Sequence, residues 1–114
     1  TTILGPAHSY YFDFSDDKRC GCLIGTALYA NGYRPEEDLE LDGFKVRTAN
    51  ADVIYARLFS MFPIAIKIVT SPVHGLHLFT WKCAPPGCLG LIAEALYERE
   101  EWTRERIADW VATI

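Results

Sequence analysis

Four cysteines fall in two tight pairs, Cys20-Gly21-Cys22 and Cys83-Ala84-Pro85-Pro86-Gly87-Cys88, with His74 and His77 between them. Thiols at such spacing can hold a metal, form disulfides, supply a nucleophile, or pack as small apolar side chains. Structural zinc sites carry paired ligands two to four residues apart, with the two pairs joined by the fold. Cys83 and Cys88 lie at the wide end of that range, and Cys20 and Cys22 are tighter than usual. Cys20, Cys22, Cys83 and Cys88 are therefore the candidate ligands for zinc. Neither pair sits on a knuckle or ribbon pattern, and Lys18-Arg19 and Lys82 are the only basic flanks.

A thiol nucleophile needs a helix N-terminus, whose free N–H groups and dipole lower its pKa, and a base from elsewhere in the fold. Cys22 opens an apolar run, and His77 follows on a later extended segment. That order distantly resembles the NlpC/P60-type cysteine peptidases, and the resemblance implies Cys22 as nucleophile and His77 as base. Gly21-Cys22-Leu23 stands where that family carries Asp-Cys-Ser/Thr-Gly, and the barrel strands expected after the histidine are missing. Free cysteine is among the most buried residue types, so the reading favoured here is packing: Cys22 and Cys88 as small residues at two helix starts.

Composition narrows the classes. The 114 residues are 50% hydrophobic and 23% charged, with net charge −4, which fits one domain with its own core. Lys and Arg are scattered, most of them beside acids. A duplex-binding protein would show a basic stripe to neutralise phosphates, so nucleic acid is disfavoured as a partner. No apolar stretch approaches the roughly 20 residues of a membrane span, and no basic segment followed by an apolar run has the pattern of a secretory signal. A reducing cytoplasm, no membrane contact and no cofactor are the expectations.

The elements that must position the thiols are legible from periodicity. Residues 21–31 carry no charge and end at Asn31-Gly32, which predicts a central helix. Gly21 and Gly25, four apart, leave a groove for close approach by another element. Helices are also predicted over 50–62, with Asn50 as cap, over 88–100, and over 103–113, with Thr103 as cap and Trp102 as a staple on Ile107. Along 88–100 the apolar stripe is Leu89, Ile92, Ala93 and Leu96, leaving Glu94, Glu98 and Glu101 off it. Strands are predicted over 9–14, 64–70 and 76–82, the last with His77, Phe79 and Trp81 on one face. Asp42-Gly43 between alternating runs predicts a 38–47 hairpin. The expected fold is α+β, 1–114 as a single domain, with a small mainly antiparallel sheet covered by about four helices.

Cys22-Leu23-Ile24-Gly25-Thr26-Ala27-Leu28, followed by Asn31-Gly32, resembles a helix of small uncharacterised actinobacterial and actinophage proteins. Trp102 to Trp110 is similar in flavour. The resemblance implies a prokaryotic or phage cytoplasmic protein and brings no catalytic residues. The expectation is a non-enzymatic interaction protein with a protein partner or a homo-oligomer contact. A cysteine hydrolase and a zinc-stabilised module are the alternatives.

Overall fold

The structure is a computed structural model that describes residues 3–38, 44–47 and 50–114. In chain order it places β1 (Gly5–Pro6), β2 (Phe12–Asp13), β3 (Cys20–Gly21), α1 (Leu23–Ala30), α2 (Pro35–Asp38), β4 (Lys45–Val46), α3 (Ala51–Met61), α4 (Leu89–Glu98) and α5 (Arg104–Val111). The class is α+β. The sheet runs in the order β1-β3-β2-β4 and is mixed, because β1 pairs with β3 in parallel while β2 runs antiparallel to both neighbours. This corrects the mainly antiparallel expectation. The tip of the 38–47 hairpin lies outside the described residues.

Helix α1 sits where its uncharged sequence requires, at the centre, with Leu28 fully buried. Gly25 within it and Gly21 just before it are needed for contact. A Cβ on Gly25 would overlap the Tyr11 carbonyl oxygen, and one on Gly21 would stand 2.8 Å from the same atom. Bare backbone therefore lets α1 lie directly on the Tyr11–Phe12 segment. The helix stops at Asn31, whose amide Nδ2 donates to the Ala27 carbonyl at 2.9 Å, and Gly32 then takes φ +100°.

Helices α3, α4 and α5 also form where the apolar periodicity places them. Ile54, Tyr55 and Leu58 of α3 are buried against α1, and Pro63 ends the run. Asn50 occupies the cap position, but its side chain makes no cap hydrogen bond. Thr103 does cap α5, accepting from the Arg106 N–H at 3.1 Å. Trp102 packs on the cluster that contains Ile107, with the Arg106 guanidinium 3.7 Å above its ring.

The strands predicted over 64–70 and 76–82 are absent. Residues Pro63–Ile66 form a 3-10 turn, and the following chain makes one isolated bridge, Ile68 to Cys88. Ile64, Ile66 and Ile68 are 48%, 45% and 60% exposed. Pro63 at the first turn position favours a tight helical start, and no neighbouring strand pairs with this segment. β-propensity reflects fit to a half-buried pleated surface, and here no such surface exists. Residues 76–82 likewise run as irregular chain, with Leu76, Leu78 and Trp81 packed on the core.

The predicted 9–14 strand narrows to Phe12–Asp13, where fully buried Phe12 lies opposite Gly21 and Val46. The buried Asp13 carboxylate accepts from the Ser15 hydroxyl at 2.6 Å, which turns the chain away and holds that carboxyl below its usual range. Residues 4–8 are held by the C-terminal helices. Arg104 donates to the Leu4 carbonyl at 2.7 Å, the Tyr97 hydroxyl to Ala7 at 3.0 Å, and His8 stacks on Tyr97 at 4.4 Å. Among the described residues no helix is long and apolar enough to cross a membrane.

Candidate functional site

Cys22 and Cys88 are the N-cap residues of α1 and α4, in extended conformation and buried. Neither thiol makes a cap hydrogen bond. Cys20 is half-buried on β3, and exposed Cys83 approaches the Asp52 carbonyl at 3.6 Å. All four are free, so they form no disulfide. Among the described residues no group of three or more His, Cys, Asp or Glu side chains is placed to hold a metal ion, so the four candidate ligands do not gather into a cage.

Cys22 and His77 both line one cavity of about 250 Å³ between the sheet and α4. Tyr10 and Tyr11, just before β2, form one side, and Arg47, just after β4, extends it. Leu91, Glu94, Ala95, Glu98 and Arg99 of α4 form the opposite wall. His77, Phe79 and Trp81 close the cavity from the 76–82 segment. The predicted alternation of that segment survives without its ladder, because the three alternating residues do share a face.

Glu94 dominates the inner wall. The sequence places it off the stripe of α4, and in one sense that is right, since Leu89, Ile92, Ala93 and Leu96 pack on the other side. But α4 is buried almost all round. Leu91, Glu94, Ala95 and Glu98, spaced three and four apart, form a second inward stripe, which is the signal that finds this residue. Desolvation lifts the Glu94 carboxyl from 4.5 to about 7, and the charge of Glu98 adds to the rise. The Tyr55 and Tyr11 hydroxyls and the more distant Arg99 act the other way and do not offset it.

The buried Tyr55 hydroxyl faces both Glu94 and the buried Trp81 Nε1, and among the described residues neither completes a hydrogen bond of ideal geometry. Burial pushes the Tyr11 and Tyr55 phenols far above their ordinary range, with Glu94 contributing, so both stay protonated as donors. The aromatic wall is continuous: Tyr11 meets Tyr55 edge-on at 6.3 Å, Tyr55 lies 5.8 Å from Trp81, and Trp81 lies 6.3 Å from Phe79.

The rim carries balanced charge. The Arg47 guanidinium stands 4.8 Å above the Tyr10 ring and Arg99 stands 4.3 Å above Phe79. Glu98 accepts from the Ser9 N–H at 2.8 Å and lies 3.4 Å from His8 Nδ1. Ser9 itself holds φ +71°, a left-handed conformation uncommon for a residue with a side chain, where the chain enters the pocket.

This arrangement suits binding better than thiol chemistry. Backbone N–H groups of Ile24 and Gly25 do favour a Cys22 thiolate, as a helix start should. Burial and the nearby Glu94 and Glu98 outweigh them and push the thiol far up, so it stays protonated. Burial also raises Cys88. No family model, curated protein or solved structure matches this chain.

Proposed function

We propose that this chain is a small non-enzymatic binding protein, of prokaryotic or phage type, that acts through contact with a protein partner at the aromatic pocket around Glu94. The observation that carries the reading is a desolvated acid set against an aromatic wall that opens to solvent. Glu94 is lifted to about 7 beside Tyr11, Tyr55 and Trp81, and Phe79 stands 62% exposed at the edge. Aromatic residues and arginine are the types enriched in interface hot spots, and Arg47, Arg99 and Phe79 meet on this rim.

The test is site-specific photo-crosslinking. A benzophenone side chain at position 79 is expected to trap one partner species, and the same group at exposed Asp109 on α5 is not. Excess unlabelled wild-type chain must compete the product away, whereas excess Phe79→Asp chain must not. Equal crosslinking from both positions, or equal competition by both chains, removes the basis for the reading. A crosslinked product of twice the chain mass identifies the partner as a second copy.

The cysteine hydrolase keeps one supporting observation, that Cys22 and His77 border the same cavity. Its nucleophile is the weak point, because a thiol held protonated by burial and two carboxylates is a poor one.

A further inference from the structure

The ligand chemistry of the pocket follows from which of its charges are already satisfied. Among the described residues the ion pairs are His8 with Glu98, Arg19 with Glu36 and Lys82 with Asp52, and none of them includes Glu94. A carboxyl removed from water and left without a counter-ion has two remedies: it keeps its proton, or it receives a cation. Aromatic side chains line the walls beside it, and a cation seated over a ring face gains from its negative quadrupole. An anion would instead meet Glu94 and Glu98.

The size of the cavity limits what can enter. At about 250 Å³ it falls below the roughly 300–1,000 Å³ typical of drug-sized ligand sites, and suits one side chain. A compact ammonium on a flexible apolar stem fits such a slot, because the stem buries against rings while the charge reaches the carboxyl. The rim then sets what flanks it. Arg47 and Arg99 lie over aromatic rings at the mouth, while Glu98 is engaged by Ser9 and His8. The mouth thus offers positive charge that forms no ion pair among the described residues, and the interior offers negative charge.

We propose that the pocket seats a lysine side chain of the partner, with its ammonium against Glu94 and the Trp81 ring, and with acidic residues beside that lysine meeting Arg47 and Arg99. This rests on the pocket being the contact site. It adds a recognition rule, acid-lysine-acid, and a dependence on pH. The groups facing Glu94 are Glu98 and Arg99 of α4, Tyr11 before β2, Tyr55 of α3, Cys22 at the start of α1, His77 and Arg47. The two phenols and the thiol are pushed upward and stay neutral, leaving Glu94 as the group whose charge the ammonium needs. With Glu94 titrating at about 7, its ionised fraction rises from about 3% at pH 5.5 to about 97% at pH 8.5, so apparent affinity rises about 30-fold.

The experiment titrates acetyl-Glu-Lys-Glu-amide into the full chain and follows the Trp81 indole N–H by NMR at pH 5.5, 7.0 and 8.5. The lysine peptide is expected to shift that signal, with affinity rising about 30-fold across the series. A norleucine peptide is expected to bind at least about tenfold more weakly, and arginine and acetyl-lysine peptides more weakly than lysine. Glu94→Gln should weaken the lysine peptide and flatten its pH profile, whereas His77→Gln should leave the profile in place. Thermal unfolding of both variants checks that they are folded. Equal binding of norleucine or arginine, affinity falling with pH, or a profile lost in His77→Gln rather than Glu94→Gln overturns the proposal. Silence of the Trp81 signal with every peptide also overturns it. Equal norleucine binding leaves the pocket as a contact site, and the crosslinking at position 79 decides that question separately.

Discussion

The pocket around Glu94 and the groove between α1, α4 and α5 are built on opposite faces of the same helix. Leu91, Glu94, Ala95 and Glu98 of α4 face the pocket, while Leu89, Gly90 and Ala93 face the groove. The groove is the larger concavity, about 400 Å³ against 250 Å³. Its walls are almost wholly apolar, with Ile24, Leu58, Ile107 and Val111 among them, and its one charged residue, Arg104, donates to Leu4 and Thr26. The pocket has less volume but holds a desolvated acid, buried phenol donors and a charged rim. Size alone therefore does not mark the site. A few polar groups placed against an apolar wall supply direction, and only one of the two hollows has them.

Substitutions that treat the two faces alike should separate them. Gly25→Ala and Gly90→Ala add the same methyl group, one behind the pocket and one in the groove. At Gly25 it meets the fixed Tyr11 carbonyl; at Gly90 it meets the movable Leu58 Cδ2 at 3.1 Å. Gly25→Ala should lose roughly 3 kcal/mol or more in denaturant unfolding. Gly90→Ala should stay within about 1 kcal/mol of the parent, since a helix-propensity gain of about that size offsets the contact. Equal losses would mean that the close approach of α1 to Tyr11 does not set the pocket wall.

Glu94 makes a slightly smaller prediction with a definite sign. Its pKa is raised on folding, so between about 4.5 and 7 the folded chain binds more protons than the unfolded one. Stability from this group is therefore complete at low pH and is lost as pH rises through 7. Glu94→Gln should match the parent near pH 4 and exceed it by up to about 3 kcal/mol at pH 8, at 1.36 kcal/mol per unit. Paired urea unfolding curves across that range check it.

Within the pocket, Cys22 should be quiet where Glu94 is active. Iodoacetamide is expected to label exposed Cys83 in the native chain, with buried Cys22 at least about 100-fold slower and unresponsive between pH 5 and 9. Mass mapping of the labelled peptides decides this, and fast Cys22 labelling that climbs below pH 8 would revive the nucleophile. On the groove side the expected effect is smaller. Thr103→Ala removes the cap of α5 and should lower stability by about 1 kcal/mol without changing the pH dependence set by Glu94.

The contrast also explains what the sequence can and cannot reveal. The four long helices follow from periodicity because each buries its stripe against a neighbour close in space, and Gly21 and Gly25 announce the close approach they make. The strands over 64–70 and 76–82 fail because β-branched composition says what a strand tolerates and not whether a partner stands beside it. Ile68 finds only an isolated bridge to Cys88, and Ile64, Ile66 and Ile68 are left exposed. Phe79 and Trp81 keep their predicted face with His77, since alternation in an extended chain does not need a ladder. Cys22 is legible as a helix-start residue but not as a suppressed thiol, because burial, the main cause, depends on the assembled fold, and the acids that add to it lie some seventy residues away in the chain. Glu94 is harder to read for a related reason: its stripe with Leu91, Ala95 and Glu98 is present in the sequence, but only Tyr11, Tyr55 and Trp81 packed beside it show that the stripe faces inward.

The carboxyl of Glu94 is the most direct test of this account. A carbon-detected NMR pH titration of the Glu94 side-chain carboxyl, assigned by its loss in Glu94→Gln, should show a midpoint at about 7. A midpoint in the ordinary range near 4.5 would mean that water reaches this acid freely, and the pocket would lose the group that distinguishes it from the groove.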